Sequence, residues 1–212
     1  MRKKEKALII LKELKSLYPD ATCTLDYKTP LELLIATQLA AQCTDARVNI
    51  VTKELFKKYR NAEDFAGADL SELEQDIKST GFFRNKARNI KECCIKLLRD
   101  YGGKVPDNME DLLSLPGVGR KTANVVLSTV FSKPGVIVDT HCMRLANRLG
   151  LTKSKNPDIV ERDLMKILPE SEWANFSHYL VYHGRAICQA RRPKCEICSI
   201  MPYCVYANKN IQ

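Results

Sequence analysis

The residues best suited to covalent chemistry are an amine, Lys121, in Leu115-Pro116-Gly117-Val118-Gly119-Arg120-Lys121-Thr122, and a carboxylate, Asp139, in Val138-Asp139-Thr140-His141. The first stretch joins a helix break, a glycine turn and a nucleophile. Pro116 cannot continue a short helix through Asp111-Leu112-Leu113, and Gly117 and Gly119 admit backbone angles closed to other residues. Ala123 to Phe131 reads as the next helix. Outward amides at its start carry the positive end of the dipole and suit a phosphate, with Lys121 in that first turn. A plain helix-turn-helix corner with a solvated lysine fits the same local pattern. Spacing excludes two other glycine loops. Arg120 separates Gly119 from Lys121, against a P-loop, and Thr122 stands where a dinucleotide fingerprint needs its third glycine.

Asp139 follows the only compact β-branched run, Val136-Ile137-Val138, and precedes Arg144, Asn147 and Arg148. Capping of the next helix accounts for it locally. Capping is also compatible with catalysis, because a carboxylate held at a helix start is oriented to stabilise positive charge or move a proton.

Nine cysteines, an odd number, argue against a disulfide framework in a reducing compartment. Cys23, Cys43, Cys93, Cys94 and Cys142 are scattered in apolar or helical surroundings and read as small core or half-buried residues. Cys188, Cys195, Cys198 and Cys204 instead form one Cys-x6-Cys-x2-Cys-x5-Cys segment punctuated by Pro193 and Pro202. Thiolates so close together repel unless a metal centre neutralises them. One close pair flanked by two longer arms favours an iron-sulfur cluster over structural zinc, which more often uses two close pairs. A coincidental grouping is the third reading.

The elements that must position these groups are almost wholly helical. Ala7-Leu8-Leu11-Leu14 marks an amphipathic helix ending near Pro19. Thr29-Pro30-Leu31-Glu32 is a capping box with proline at the first helical position, launching an apolar, central helix over Leu33 to Ala41. Further helices are expected over Asp45–Tyr59, Leu70–Lys78, Asn85–Tyr101, Asp107–Leu113, Thr140–Leu149, Pro157–Leu168 and Ser171–Ala186. No repeat or flexible linker is evident. A chain of 212 residues can bury one good core or two small ones, and a net charge of +9 favours a polyanionic partner such as nucleic acid. The basic start, Met1 to Lys6, leads into an amphipathic helix rather than an apolar span. The expectation is a cytoplasmic protein, nucleoid-associated through DNA, without a membrane.

The hairpin motif, Val138-Asp-Thr-His and the cysteine spacing, in this order and separation, together resemble endonuclease III, the bifunctional DNA glycosylase and abasic-site lyase of the helix-hairpin-helix superfamily. The resemblance spans nearly the whole chain. It implies an all-α, two-lobed fold with DNA in a cleft. Residues 22–133 would form a six-helix domain containing the hairpin, and residues 1–21 with 134–212 a discontinuous domain around one [4Fe-4S] cluster held by Cys188, Cys195, Cys198 and Cys204.

Carried over by position, Lys121 is the nucleophile and Asp139 its catalytic partner, acting on double-stranded DNA that holds damaged pyrimidines or abasic sites. Gly117, Val118, Gly119 and Arg120 would hold the backbone. Chemistry on a base requires extrusion of the nucleotide, so the resemblance assigns Gln42 to the gap and Phe82 to an apolar wedge where relatives often carry leucine. Asp45 and His141 match positions near the site, His141 on the DNA side and Asp45 as support. Arg191, Arg192 and Lys194, between two cysteines, either meet phosphates or form a solvated basic loop. Monomeric action is the family expectation.

Two other function classes compete. A monofunctional, adenine-removing relative usually lacks lysine at the hairpin position, and a non-enzymatic DNA-binding protein would leave Lys121 and Asp139 incidental.

Overall fold

The computed structural model describes residues 2–210 and the side chains of residues 2–208. Every regular element among them is helical. In chain order they are α1 (Lys3–Leu17), α2 (Pro30–Leu39), α3 (Asp45–Lys58), α4 (Ala62–Gly67), α5 (Leu70–Asp76), α6 (Phe83–Tyr101), α7 (Met109–Ser114), α8 (Arg120–Val130), α9 (Thr140–Arg148), α10 (Pro157–Met165), α11 (Trp173–Ala186) and α12 (Val205–Asn210), with short 3-10 turns between some of them. The all-α expectation holds. The Val136–Val138 run forms no strand, because the Ile137 amide donates to Ser177 Oγ of α11 at 2.9 Å instead of to a neighbouring strand.

The chain divides into two compact units, Thr24–Lys133 and Met1–Cys23 with Pro134–Gln212. In the first, Thr29 caps α2 by accepting the Glu32 amide at 3.2 Å, and Pro30 opens the helix. The box is not reciprocal within the cap, since Glu32 Oε2 reaches back to the Lys28 amide. Residues 33 to 39 of α2 are all buried, the signature of a helix wrapped on every side. Fully burying each of its leucines contributes about 2 kcal/mol before the entropy of ordering is counted. The faces of α6 and α8 that carry Ala87, Ile90 and Leu97, and Ala123 and Val126, complete this core. Helix α4 was not visible from periodicity. It is six residues long, capped by Asn61, and held where Phe65 stacks on Tyr59 with ring centroids 4.9 Å apart.

In the second unit, Ala7, Ile10 and Leu14 of α1 share a core with Leu145 of α9, Val160 and Leu164 of α10, and Phe176 and Leu180 of α11. Cys204 and Ala207 belong to the same cluster, so the cysteine segment is seated on a packed helical platform. None of the nine cysteines forms a disulfide. Burial pushes the Cys93 thiol up to about 11, and that of Cys142 higher still, as inert core thiols require.

Candidate nucleic-acid interface and cofactor site

The hairpin lies between α7 and α8. The Val118 amide donates to Leu115 O at 3.1 Å, closing the turn that Pro116 forces. Gly117 has φ +74, and a Cβ there would sit 2.8 Å from both Asn89 Cβ and Gln38 Oε1, so conformation and packing both demand glycine. Gly119 corrects the expectation that both glycines use restricted angles. Its φ is −99 and ψ 175, extended backbone open to any residue, and a Cβ would meet nothing within 4 Å. Its missing side chain is therefore not required by this chain's own packing.

Helix α8 begins at Arg120 rather than Ala123, because Gly119 acts as its N-cap and supplies no side-chain cap. Val118 is buried, whereas Gly117, Gly119, Arg120 and Lys121 are exposed. The first turn thus presents backbone amides and the Lys121 amine on one outward surface.

Asp139 is the N-cap of α9, accepting the Cys142 amide at 2.7 Å. Two neighbours fix its approach. Ser177 anchors Ile137 just upstream, and the Asp139 charge acts on His178 of α11. Burial pulls the His178 imidazole below its ordinary value, and the Asp139 charge opposes that pull. His178 carried no sequence signal. His141, in the first turn of α9, packs on Gly184, where any Cβ would come within 2.6 Å of its Nδ1. That nitrogen lies 3.1 Å from Arg144 Nη2.

Arg144 and Arg148, one turn apart on α9, organise the cysteine segment. Arg144 Nη2 donates to Cys188 O at 3.0 Å and to Gly184 O at 3.2 Å. Arg148 donates to Gln189 O and Ala190 O, each at 2.8 Å, and to Cys188 Sγ at 3.2 Å, while its guanidinium covers the Tyr206 ring. The Lys194 amide closes the loop on Ile187 O at 3.0 Å. Arg191, Arg192 and Lys194 are consequently held exposed on a braced loop. The i, i+4 arginines were visible in the sequence, but their partners were not.

Cys188, Cys195, Cys198 and Cys204 line one shared space, partly open to solvent, together with Leu145, Ile200 and other apolar side chains. Among the described residues no three His, Cys, Asp or Glu side chains converge on a single-ion site. Burial and the other three sulfurs push the Cys198 thiol up to about 11. Polar groups already face these sulfurs. The Ala207 amide donates to Cys204 Sγ at 3.5 Å, and His183 Nε2 lies 3.4 Å from Cys198 Sγ. Four soft donors around a shared apolar space, with N–H groups aimed at sulfur, fit an iron-sulfur cluster.

Gln42 and Phe82 lie in the same unit as Lys121, and both are exposed. Each occupies left-handed backbone, with φ 55 and φ 48. Phe82 is 63% exposed, an unusual position for a phenylalanine without an external contact. Asp45 opens α3 and accepts a hydrogen bond from Thr24 Oγ1. Asp139, His141, the basic loop and the four cysteines belong to the other unit.

Residues 35–170 match the model of the HhH-GPD superfamily of base excision DNA repair proteins, and residues 188–204 match the iron-sulfur binding domain of endonuclease III. The endonuclease III of Synechocystis is 56% identical over 203 residues, covering 95% of this chain and 93% of that relative. The endonuclease III of Bacillus subtilis is 46% identical over 195 residues, covering 92% and 89%. A solved trapped covalent endonuclease III–DNA intermediate, described as an estranged-adenine complex, superposes with a TM-score of 0.96 at 46% identity, over 100% of both chains. Among the described residues no helix is long and apolar enough to cross a membrane. The cofactor is a [4Fe-4S] cluster, and the chain belongs to the endonuclease III family of HhH-GPD base excision repair enzymes, DNA glycosylases that also cleave the abasic strand.

Proposed function

We propose that this enzyme, acting as a monomer, removes oxidised or ring-damaged pyrimidines from double-stranded DNA, with Lys121 as nucleophile and Asp139 as its catalytic partner. The observation that carries the assignment is the exposed Lys121 amine in the uncapped first turn of α8, beside a glycine that leaves room for a backbone from outside. A protein similar over its whole length has been trapped covalently on DNA, and a covalent adduct needs such a nucleophile.

The neutral Lys121 amine attacks C1′ of the damaged nucleotide, the N-glycosidic bond breaks, and the base leaves carrying the bonding electrons and gains a proton. The lysine adduct opens to a Schiff base. Loss of a proton from C2′ then expels the 3′ phosphate by β-elimination, and water hydrolyses the imine to return the free amine. Asp139, oriented by the Cys142 amide, stabilises positive charge on the sugar as the base departs and directs protons. Gly117 to Arg120 hold the backbone, Gln42 fills the vacated stack and Phe82 wedges the opposite side, with His141 on the DNA side and Asp45 as support. Arg191, Arg192 and Lys194 meet flanking phosphates.

Cys188, Cys195, Cys198 and Cys204 hold the cluster. When bound it supplies a rigid anchor for the basic loop. In this reading the protein works in the cytoplasm, on the nucleoid.

The test is a duplex carrying one thymine glycol, followed for base release and strand cleavage without added alkali. The expected product ends in a 3′ unsaturated aldehyde. Base release with an intact strand would refute the bifunctional assignment, and preference for a mispaired adenine would refute the pyrimidine assignment.

A further inference from the structure

Lys86 is 6% exposed, yet carries an ammonium that neither the hairpin nor the cluster uses. It lies in the first turn of α6. Its Nζ donates to Leu39 O, at the end of α2, and to Thr80 O, at the end of a 3-10 turn, both at 2.8 Å. Its backbone amide donates to Phe82 O at 3.1 Å. One residue therefore grips the chain three positions before Gln42, two positions before Phe82, and at Phe82 itself.

These two loops share a further property. Gln42 and Phe82 are two of the three non-glycine residues with positive φ among the described residues. Neither has the glycine or asparagine that makes left-handed backbone inexpensive, so the surroundings must hold each one there. Gln42 is carried by a short turn in which the Cys43 amide reaches Ala40 O at 3.2 Å. Phe82 follows Gly81, also at positive φ, and serves as the N-cap of α6 without a side-chain cap.

Burying an ammonium is costly, and an apolar side chain of the same length would avoid that cost only by leaving the Leu39 and Thr80 carbonyls of two buried residues without this donor. Burial pulls the Lys86 amine below the usual lysine range, with nearby Cys43 opposing. What the ammonium offers and a methionine lacks is several donors radiating from one point, here joining two carbonyls at the negative ends of separate helical segments.

We propose that Lys86 is a positioning residue that locks the Gln42 and Phe82 loops into one rigid pair, so that both side chains meet the DNA at a fixed separation. The inference rests on the reading that Gln42 and Phe82 enter the duplex. Preorganisation of this kind removes the cost of ordering two exposed loops on binding and is felt only where both loops are engaged, at a lesion.

The test uses the full cluster-loaded enzyme and a duplex bearing a tetrahydrofuran abasic analogue opposite 2-aminopurine. Lys86→Met is expected to raise Kd for this duplex about tenfold while leaving undamaged duplex within about twofold. At saturating enzyme it should also diminish the 2-aminopurine fluorescence rise that reports displacement of the opposite base. Lys86→Gln, which keeps one donor and is the gentler change if Lys86→Met folds poorly, should lose about threefold in the same order. In a Gln42→Ala/Phe82→Ala background the Lys86 changes should cost nothing further.

A Lys86 variant that melts earlier but keeps wild-type lesion affinity and fluorescence would overturn the inference and leave the lysine merely structural. If Gln42→Ala and Phe82→Ala weaken lesion binding while the Lys86 variants do not, the positioning role alone fails. If Gln42→Ala and Phe82→Ala themselves change nothing, the DNA-contact reading fails and the inference falls with it.

Discussion

Arg148 donates to the sulfur of Cys188 across 3.2 Å, and the same guanidinium holds the carbonyls of Gln189 and Ala190. One side chain thus touches a proposed cluster ligand and the root of the basic loop together. A lysine cannot span three acceptors with a planar fork. Arg148→Lys should bleach faster than wild type when visible absorbance is followed with an iron chelator, and should weaken DNA binding about fivefold.

The three exposed cations of that loop should act through charge alone. Arg191→Ala, Arg192→Ala and Lys194→Ala are each expected to lower the slope of log affinity against log salt by about one, equally for damaged and undamaged duplex. Titrations at several salt concentrations check this. Removal of the cluster should produce the combined loss, since it frees the loop that carries all three.

The hairpin glycines make a discriminating pair. Gly117→Ala must adopt φ +74 and push against Asn89 and Gln38, so a loss of about 2–4 kcal/mol in unfolding free energy is expected. Gly119→Ala meets neither obstacle and should unfold within about 0.5 kcal/mol of wild type. Its defect should appear only with DNA, as an affinity loss of about tenfold, if the added methyl stands where the proposed function brings a phosphate. Denaturant melts and binding titrations on the two variants separate the roles.

The Asp139 charge acts on the titration of His178. Burial depresses the imidazole and the Asp139 charge lifts it, so Asp139→Asn should lower the His178 pKa further in an NMR titration. The unfolded chain takes up this proton near pH 6.5 and the folded chain only below that, so the His178 contribution to stability is complete above about 6.5 and declines as pH falls. The same variant should slow base release about a hundredfold, while cleavage of a preformed abasic site, where no base must leave, falls less. Single-turnover assays on the two substrates measure the difference.

Much of this was legible in the residues. The 3.6-residue apolar pattern and the cap at Thr29 mark the long helices within a few positions, since burial and capping are local signals, whereas the Thr44 cap of α3 is seen only in the structure. The amine, the capping carboxylate and the cysteine spacing were legible for the same reason. What was not legible depends on side-chain contacts that no local periodicity or cap encodes. Helix α4 is too short for periodicity and is held by Phe65 on Tyr59. Ser177 replaces a strand partner for Ile137 from 40 positions away, and the acceptors of Lys86 are 47 and 6 positions away. Gly119 departs from the expectation because composition cannot tell a glycine that needs its φ from one that leaves space.

Under the proposed function the Lys121 amine becomes covalently joined to the sugar. Borohydride added during reaction with an abasic-site duplex should reduce the Schiff base and leave an enzyme–DNA adduct, with peptide mapping placing the modification on Lys121. Lys121→Gln should abolish the adduct while binding the same duplex about as tightly as wild type. An undiminished adduct in Lys121→Gln, or one mapped to another amine, would contradict the account.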